Sequence, residues 1–158
     1  RIFFAGCAAS TSSAALTATY TGNVVIINPA GSGLLVVPLW ASSTLPVIET
    51  AVNNWGLFVG TGRITVHTTP LNIYNASGST TSATPILADQ ACTLVGAPQW
   101  VMFGNSTGIA ASTWGGTLDI AGKFQVPPGS YFGTATMTAS AASGHQAIIG
   151  FGIVNYPQ

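Results

Sequence analysis

With 158 residues, the chain is long enough to enclose one hydrophobic core, and no stretch of it reads as a second domain. Only Arg1, Arg63 and Lys123 oppose Glu49, Asp89 and Asp119, so 4% of the chain is charged where about 25% is usual. So few cations exclude a nucleic-acid binder, which needs Lys and Arg to displace counterions from phosphate. Zero net charge together with 47% hydrophobic residues points instead to a surface completed by other subunits.

A membrane span is also excluded as a helix, because no run reaches the roughly 18 apolar residues required. The uncharged region, residues 2–48, is broken by Asn28, Pro29, Ala30, Gly31, Ser32 and Gly33. The four Trp and four Tyr do not fall into the girdles of an outer-membrane barrel. A first residue of Arg1 rather than Met predicts processing or a start further upstream, and RIFFAGCAAS is too short for a signal peptide. Cys7 and Cys92 could pair, but two cysteines make no disulfide scaffold and free buried thiols are favoured.

In chain order, residues 1–15 read as an N-terminal arm with an apolar tip, and residues 16–158 as one β domain. Leu16 to Tyr20 alternates as a half-buried strand. Two apolar runs, Val24 to Ile27 and Leu34 to Trp40, then flank the Asn-Pro-Ala-Gly-Ser-Gly turn, a strand pair covered on both faces. Pro38 places the second run at a sheet edge or on a bulge. Val47 to Trp55 is the one helix candidate, and Leu57 to Val59 and Arg63 to His67 alternate around Gly60, Thr61 and Gly62.

Leu71 to Tyr74 is a short strand and residues 75–84 a polar loop. Three short apolar pieces follow at Ile86–Leu87, Cys92 to Val95 and Gln99 to Phe103. Residues 104–116 are loop-like, and Thr117 to Val126 is a strand pair or a kinked strand turned at Ala121 and Gly122. Pro127, Pro128 and Gly129 form a rigid turn. Tyr131 to Ala139 alternates, residues 141–144 form a loop, and Gln146 to Tyr156 closes the chain. In that last segment Gly150 and Gly152 sit on the face where something approaches closely. Short strands with turn signals about every ten residues, and no fixed repeat, predict an all-β fold: an antiparallel β-sandwich of jelly-roll type with little or no helix.

The chemistry-bearing residues are sparse. Gly104 to Gly108 matches G-x-S-x-G, but no helix follows, and an ordinary loop is the reading. His67 and His145 read as structural histidines, and Glu49, Asp89 and Asp119 are far apart in sequence, so no catalytic residues are assigned. No metal-ligand spacing is present, and neither metal nor cofactor is expected. Asn75 and Asn105 begin sequons, and Trp40, Trp55, Trp100 and Trp114 suit buried or intersubunit positions better than a sugar platform.

NPAGSG followed by LLVVPLW, and VPPGSYFGTATMTA followed by AIIGFGIVNYP, resemble motifs of small structural proteins of tailed bacteriophages. The resemblance spans roughly Val24 to Trp40 and Leu118 to Pro157. Leu34 stands where a basic residue is usual in that family, and Asn155 and Tyr156 stand where it often has an acidic pair. The resemblance implies a virion component, a capsid decoration protein or fibre domain.

The expectation is therefore a non-enzymatic subunit, a homo-oligomer and by preference a trimer, bound to the major capsid protein or other virion subunits on the capsid exterior. Neither nucleic acid nor membrane is expected as a partner. The alternatives are a secreted filament subunit assembled by strand addition through residues 1–15, or a glycan-binding fibre domain. The turn residues Asn28, Pro29, Gly31, Gly33, Pro127, Pro128 and Gly129 are expected to be structural, and Leu35, Val37 and Trp40 to lie at or beside a subunit interface.

Overall fold

Period-two alternation and β-branched runs become eleven β-strands among the described residues, none of which is helical. The structure, a computed structural model, describes residues 1–7, 11–13, 19–45, 55–62, 64, 69–78, 85–94, 96, 98–104, 114–136 and 140–156. The strands are β1 (Ile2–Gly6), β2 (Thr11–Ser13), β3 (Thr19–Asn28), β4 (Leu34–Leu45), β5 (Trp55–Thr61) and β6 (Tyr74–Asn75). They continue as β7 (Leu87–Thr93), β8 (Gln99–Phe103), β9 (Trp114–Asp119), β10 (Ser130–Thr136) and β11 (Ser140–Asn155).

They form two antiparallel sheets, β6-β1-β11-β4-β9, with β2 beside the start of β11, and β7-β3-β10-β5-β8. The chain is an all-β sandwich. Its pairings are nested: β1 with β11, β3 with β10, β4 with β9 and β5 with β8. Such nesting is what a long antiparallel ribbon gives when it rolls up on itself.

Between the sheets Phe3, Ala5, Val36, Ala41, Ile149 and Phe151 meet Val24, Ile26, Trp55, Leu57, Ala88 and Phe132. A second cluster lies on the far side of the second sheet, where Val25, Ile27, Phe58, Tyr131 and Ala135 pack with Ile64, Cys92 and Leu94. All seven residues of β10 are buried as a result. The centre of the second sheet is thus covered on both faces by its own chain, while Leu87 and Phe103 on its outer strands are 41% and 54% exposed.

Several expectations change in detail. The runs flanking the Asn-Pro-Ala-Gly-Ser-Gly turn are strands, but β3 and β4 lie in opposite sheets and meet only across the core. β4 is an inner strand between β11 and β9, and Pro38 is accommodated by a bulge: Gly150 pairs with Trp40 and Phe151 with Pro38, leaving Leu39 over. Ile86 precedes one continuous strand, β7, rather than a separate piece, and the strand expected at residues 71–74 is reduced to Tyr74–Asn75. Residues 141–144 belong to β11 instead of a loop, as an irregularity between Ser140 and His145, which pair with Ser13 and Thr11 of β2. The helix candidate, apart from Trp55 at the start of β5, lies outside the described residues, as do Arg63, 65–68 and 105–113.

One packing device recurs. On the second sheet Gly60 pairs with Tyr131 and Phe58 with Gly133, so rings and glycines occupy alternate corners. A Cβ on Gly60 would enter the Tyr131 ring, and one on Gly133 would lie 2.6 Å from the Val24 carbonyl oxygen and 2.9 Å from the Phe58 ring. Phe58 and Tyr131 meet edge to face with centroids 6.3 Å apart. On the first sheet Gly150 lies under the Trp40 indole in the same way, whereas the nearest atom to a Cβ on Gly152 would be 3.8 Å away.

Gly150→Ala is therefore expected to destabilise the fold by about 1–3 kcal/mol, the range for overpacking, and Gly152→Ala to change it little. Urea unfolding midpoints of the two variants make the comparison.

Candidate functional site

Both turn motifs singled out in the sequence converge on Asn28, which is 1% exposed. Its side-chain Nδ2 donates to the carbonyl oxygens of Leu34 and Val126, each at 2.9 Å. Its Oδ1 accepts from Ser32 Oγ at 2.5 Å, and its own carbonyl accepts from the Gly129 N–H at 2.8 Å. Gly31, Gly33 and Gly129 have φ of 78°, 67° and 80°, which side-chain-bearing residues rarely adopt. Pro29 accepts from the Ser32 N–H at 3.2 Å, while Pro127 and Pro128 lead from Val126 into Gly129. The seven turn residues so form one assembly at one end of the sandwich, joining the β3–β4 crossing to the β9–β10 connection.

That assembly fixes the start of β4 and with it the outer face of the first sheet. Directly opposed residues of antiparallel strands share a face. Leu35 opposes Val154, Val37 opposes Gly152, Trp40 opposes Gly150 and Ser42 opposes Ile148. On the other side of β11, Ile2 opposes Gly152 and Phe4 opposes Gly150, and Tyr74 opposes Phe4. Since Val36, Ile149 and Phe3 point into the core, this set points outward.

One lateral row runs Tyr74, Phe4, Gly150, Trp40, Asp119, with Phe4 and Tyr74 stacked at 5.6 Å. Ile2, Ile148 and Val154 are 53%, 44% and 49% exposed, Val37 and Trp40 are half-buried, and Leu35 is buried at 8%. No Lys, Arg, Asp or Glu occurs on β6, β1, β11 or β4. The first sheet thus presents a largely apolar outer face, flattened by glycines along β11 and carrying Asp119 at its β9 margin, whereas the second sheet has the centre of its outer face covered. What such a face does is bury apolar area against another surface, at about 25 cal/mol per Å² removed from water. Leu35, Val37 and Trp40 belong to this face. Ile2, Phe4, Ile148 and Val154 are its other members, and an apolar strand flanked by glycine on its non-core side was the signal for the last two.

The remaining candidates do not converge. Asp89 is fully buried in β7 and accepts from the Thr69 N–H at 3.1 Å, while Asp119 is exposed on β9. Among the described residues no three His, Cys, Asp or Glu side chains gather. His67 and Glu49 lie outside the described residues, and of the G-x-S-x-G pattern only Gly104 is described, its backbone against the Trp55 ring. Asn75 Oδ1 accepts from Ser77 N and Oγ at 3.0 and 2.6 Å, closing a local turn. Trp55 is in the core, and Trp40 and Trp100 lie on different sheets, so these three tryptophans form no common platform.

Cys7 and Cys92 form no disulfide. Burial pushes the Cys92 thiol up to about 12, helped by the negative charge of Asp89, and burial also raises Cys7 and Tyr131. A thiol that ionises near 9.0 when exposed but keeps its proton in the native state stabilises the fold fully below that pH. Stability should hold to about pH 9 and fall as pH rises towards about 12, with a smaller fall for Cys92→Ala, read from urea midpoints across that range.

Asn28→Ala should cost about 1–3 kcal/mol by removing the Nδ2 donor of the half-buried Leu34 carbonyl and one of the two donors of the Val126 carbonyl, which keeps the Val36 N–H at 3.1 Å. Asn28→Asp should cost more, because a carboxylate replaces the donor beside those carbonyls; thermal unfolding at neutral pH ranks the pair.

The chain matches no known protein-family model, and no curated protein is significantly similar to it.

Proposed function

We propose that this protein is a non-enzymatic virion subunit that self-associates through the outer face of its first sheet and coats a capsid exterior as a decoration or cement protein. The observation that carries the reading is the contrast between the two sheets. One outer face is covered at its centre by the protein's own chain, leaving Leu87 and Phe103 exposed at its margins, and the other exposes Ile2, Ile148 and Val154 around Trp40 with Asp119 as the charge beside them and none on β6, β1, β11 or β4. Zero net charge leaves little to oppose association of such faces.

Two further observations support it. The nested pairing, with β1-β11-β4-β9 facing β3-β10-β5-β8, supports the jelly-roll reading of this sandwich, an architecture of viral capsid and lectin domains. The NPAGSG and VPPG motifs that resemble those of tailed-phage structural proteins meet at Asn28. Filament assembly through residues 1–15 is the weaker reading, because β1 has β6 and β11 of its own chain on either side.

Sedimentation of the purified protein should give an oligomer, with a trimer expected. Ile148→Lys and Val154→Lys, at exposed positions, should give folded monomers that no longer coat empty capsid shells. A stable wild-type monomer with no affinity for a shell would overturn the proposal.

A further inference from the structure

Among the described residues the two sheets have five edge strands, β6, β2, β9, β7 and β8, and four are protected in ways that discourage pairing with another chain. β6 and β2 are two and three residues long. The edge of β7 is covered by the preceding segment: Leu71 N–H donates to the Ala88 carbonyl and Gln90 N–H to the Thr69 carbonyl, both at 2.9 Å. β9 carries Asp119 and two glycines, residue types poorly suited to strands. β8 differs. Its sequence QWVMF is uncharged, it is five residues long, and among the described residues its one strand neighbour is β5. Val101 and Phe103 are 40% and 54% exposed.

Beside this edge lies a cavity of about 400 Å³, within the range of sites that take a ligand. Val59 and Val101 form one wall, Phe124, Val126 and Pro127 the other, with Gln99 and Gln125 among the polar groups lining it. Phe124 is held edge-on against Phe132 at 6.1 Å. A register shift between Leu57 and Phe58 leaves Val101 as the extra residue of β8, the kind of bulge that re-aims a side chain. No lining residue is charged.

We propose that β8 and this cavity accept an extended, uncharged peptide strand from a partner protein. Added beside β8, such a strand would take main-chain hydrogen bonds from the edge and place alternate side chains in the cavity. The intervening side chains would lie on the Trp100 and Phe103 side, where those two rings pack at 5.5 Å. Charge matching selects the class of peptide: the cavity offers nothing to pair with an ionised side chain, which would lose its hydration on entering. The site lies on the opposite sheet from the self-association face and stands independently of it.

The test uses the full chain and a fluorescein-labelled blocked hexapeptide alternating valine and threonine. Controls are the same peptide with lysine in place of valine, one with a central proline, and labelled maltohexaose. Anisotropy should rise only with the valine–threonine peptide, and β8 amide exchange should slow at least tenfold in its presence. Val101→Lys should weaken binding at least tenfold while leaving the unfolding midpoint and the sedimenting mass unchanged. Phe103→Lys, at a more exposed position, serves the same purpose if the first variant does not fold. Equal binding of the proline peptide, no binding by the wild-type chain, or binding of maltohexaose in place of the peptide would overturn the proposal. None of those results bears on assembly through the first sheet.

Discussion

The two sheets are joined at one end by the amide of Asn28. β3 leaves one sheet and β4 enters the other, and a crossing of that kind strands backbone carbonyls where water does not reach. One side-chain nitrogen answers two of them, on Leu34 and Val126, while the Asn28 carbonyl takes the Gly129 N–H. The Val126 carbonyl also accepts from the Val36 N–H, so a residue without these donors would cost chiefly the bond to the Leu34 carbonyl and the tie between the two connections, still a noticeable share of a small domain's stability. The alignment of β4 against β11, and so the composition of the outer face, follows from where this clamp holds the start of β4.

The second constraint is steric. Tryptophan, tyrosine and phenylalanine rings crowd a sheet, and four of them in this chain have a glycine opposite or beside them. Tyr131 lies over Gly60, Phe58 over Gly133, Trp40 over Gly150 and Trp55 against Gly104. In the second sheet the device allows both faces to fill with apolar groups. In the first it lowers the profile of β11, so that Ile148 and Val154 stand clear of their neighbours. The same pairing therefore builds a core on one side of the molecule and an exposed apolar surface on the other.

Much of the strand pattern was legible because alternation and turn residues are local signals. The Gly31, Gly33 and Gly129 turns and the bulge option for Pro38 could be read directly from residue type. Partner choice was not legible, because nested pairing joins segments as distant as Phe4 and Gly150, and no short window records that. Residues 141–144 read as a loop since serine, alanine and glycine favour strands weakly; the pairing of the flanking Ser140 and His145 with β2 carries them into the strand. On the outer face, the apolar run at Leu34 to Trp40 drew notice to Leu35, Val37 and Trp40. Ile148 and Val154 were hidden beside the stronger stripe of Ile149, Phe151 and Ile153, whose inward alternation explained the segment without them.

The position of β11 has a kinetic consequence. It is the last strand in the sequence, yet it lies in the middle of its sheet between β1 and β4. Until it is synthesised, those two strands have no common neighbour, and the first sheet has a gap the width of one strand at its centre. Closing that gap joins residues almost a full chain apart, a contact whose loop-closure entropy slows folding. During that interval the open slot fits the β11 of any identical chain as well as its own, so crowded synthesis invites exchange of this strand between neighbours.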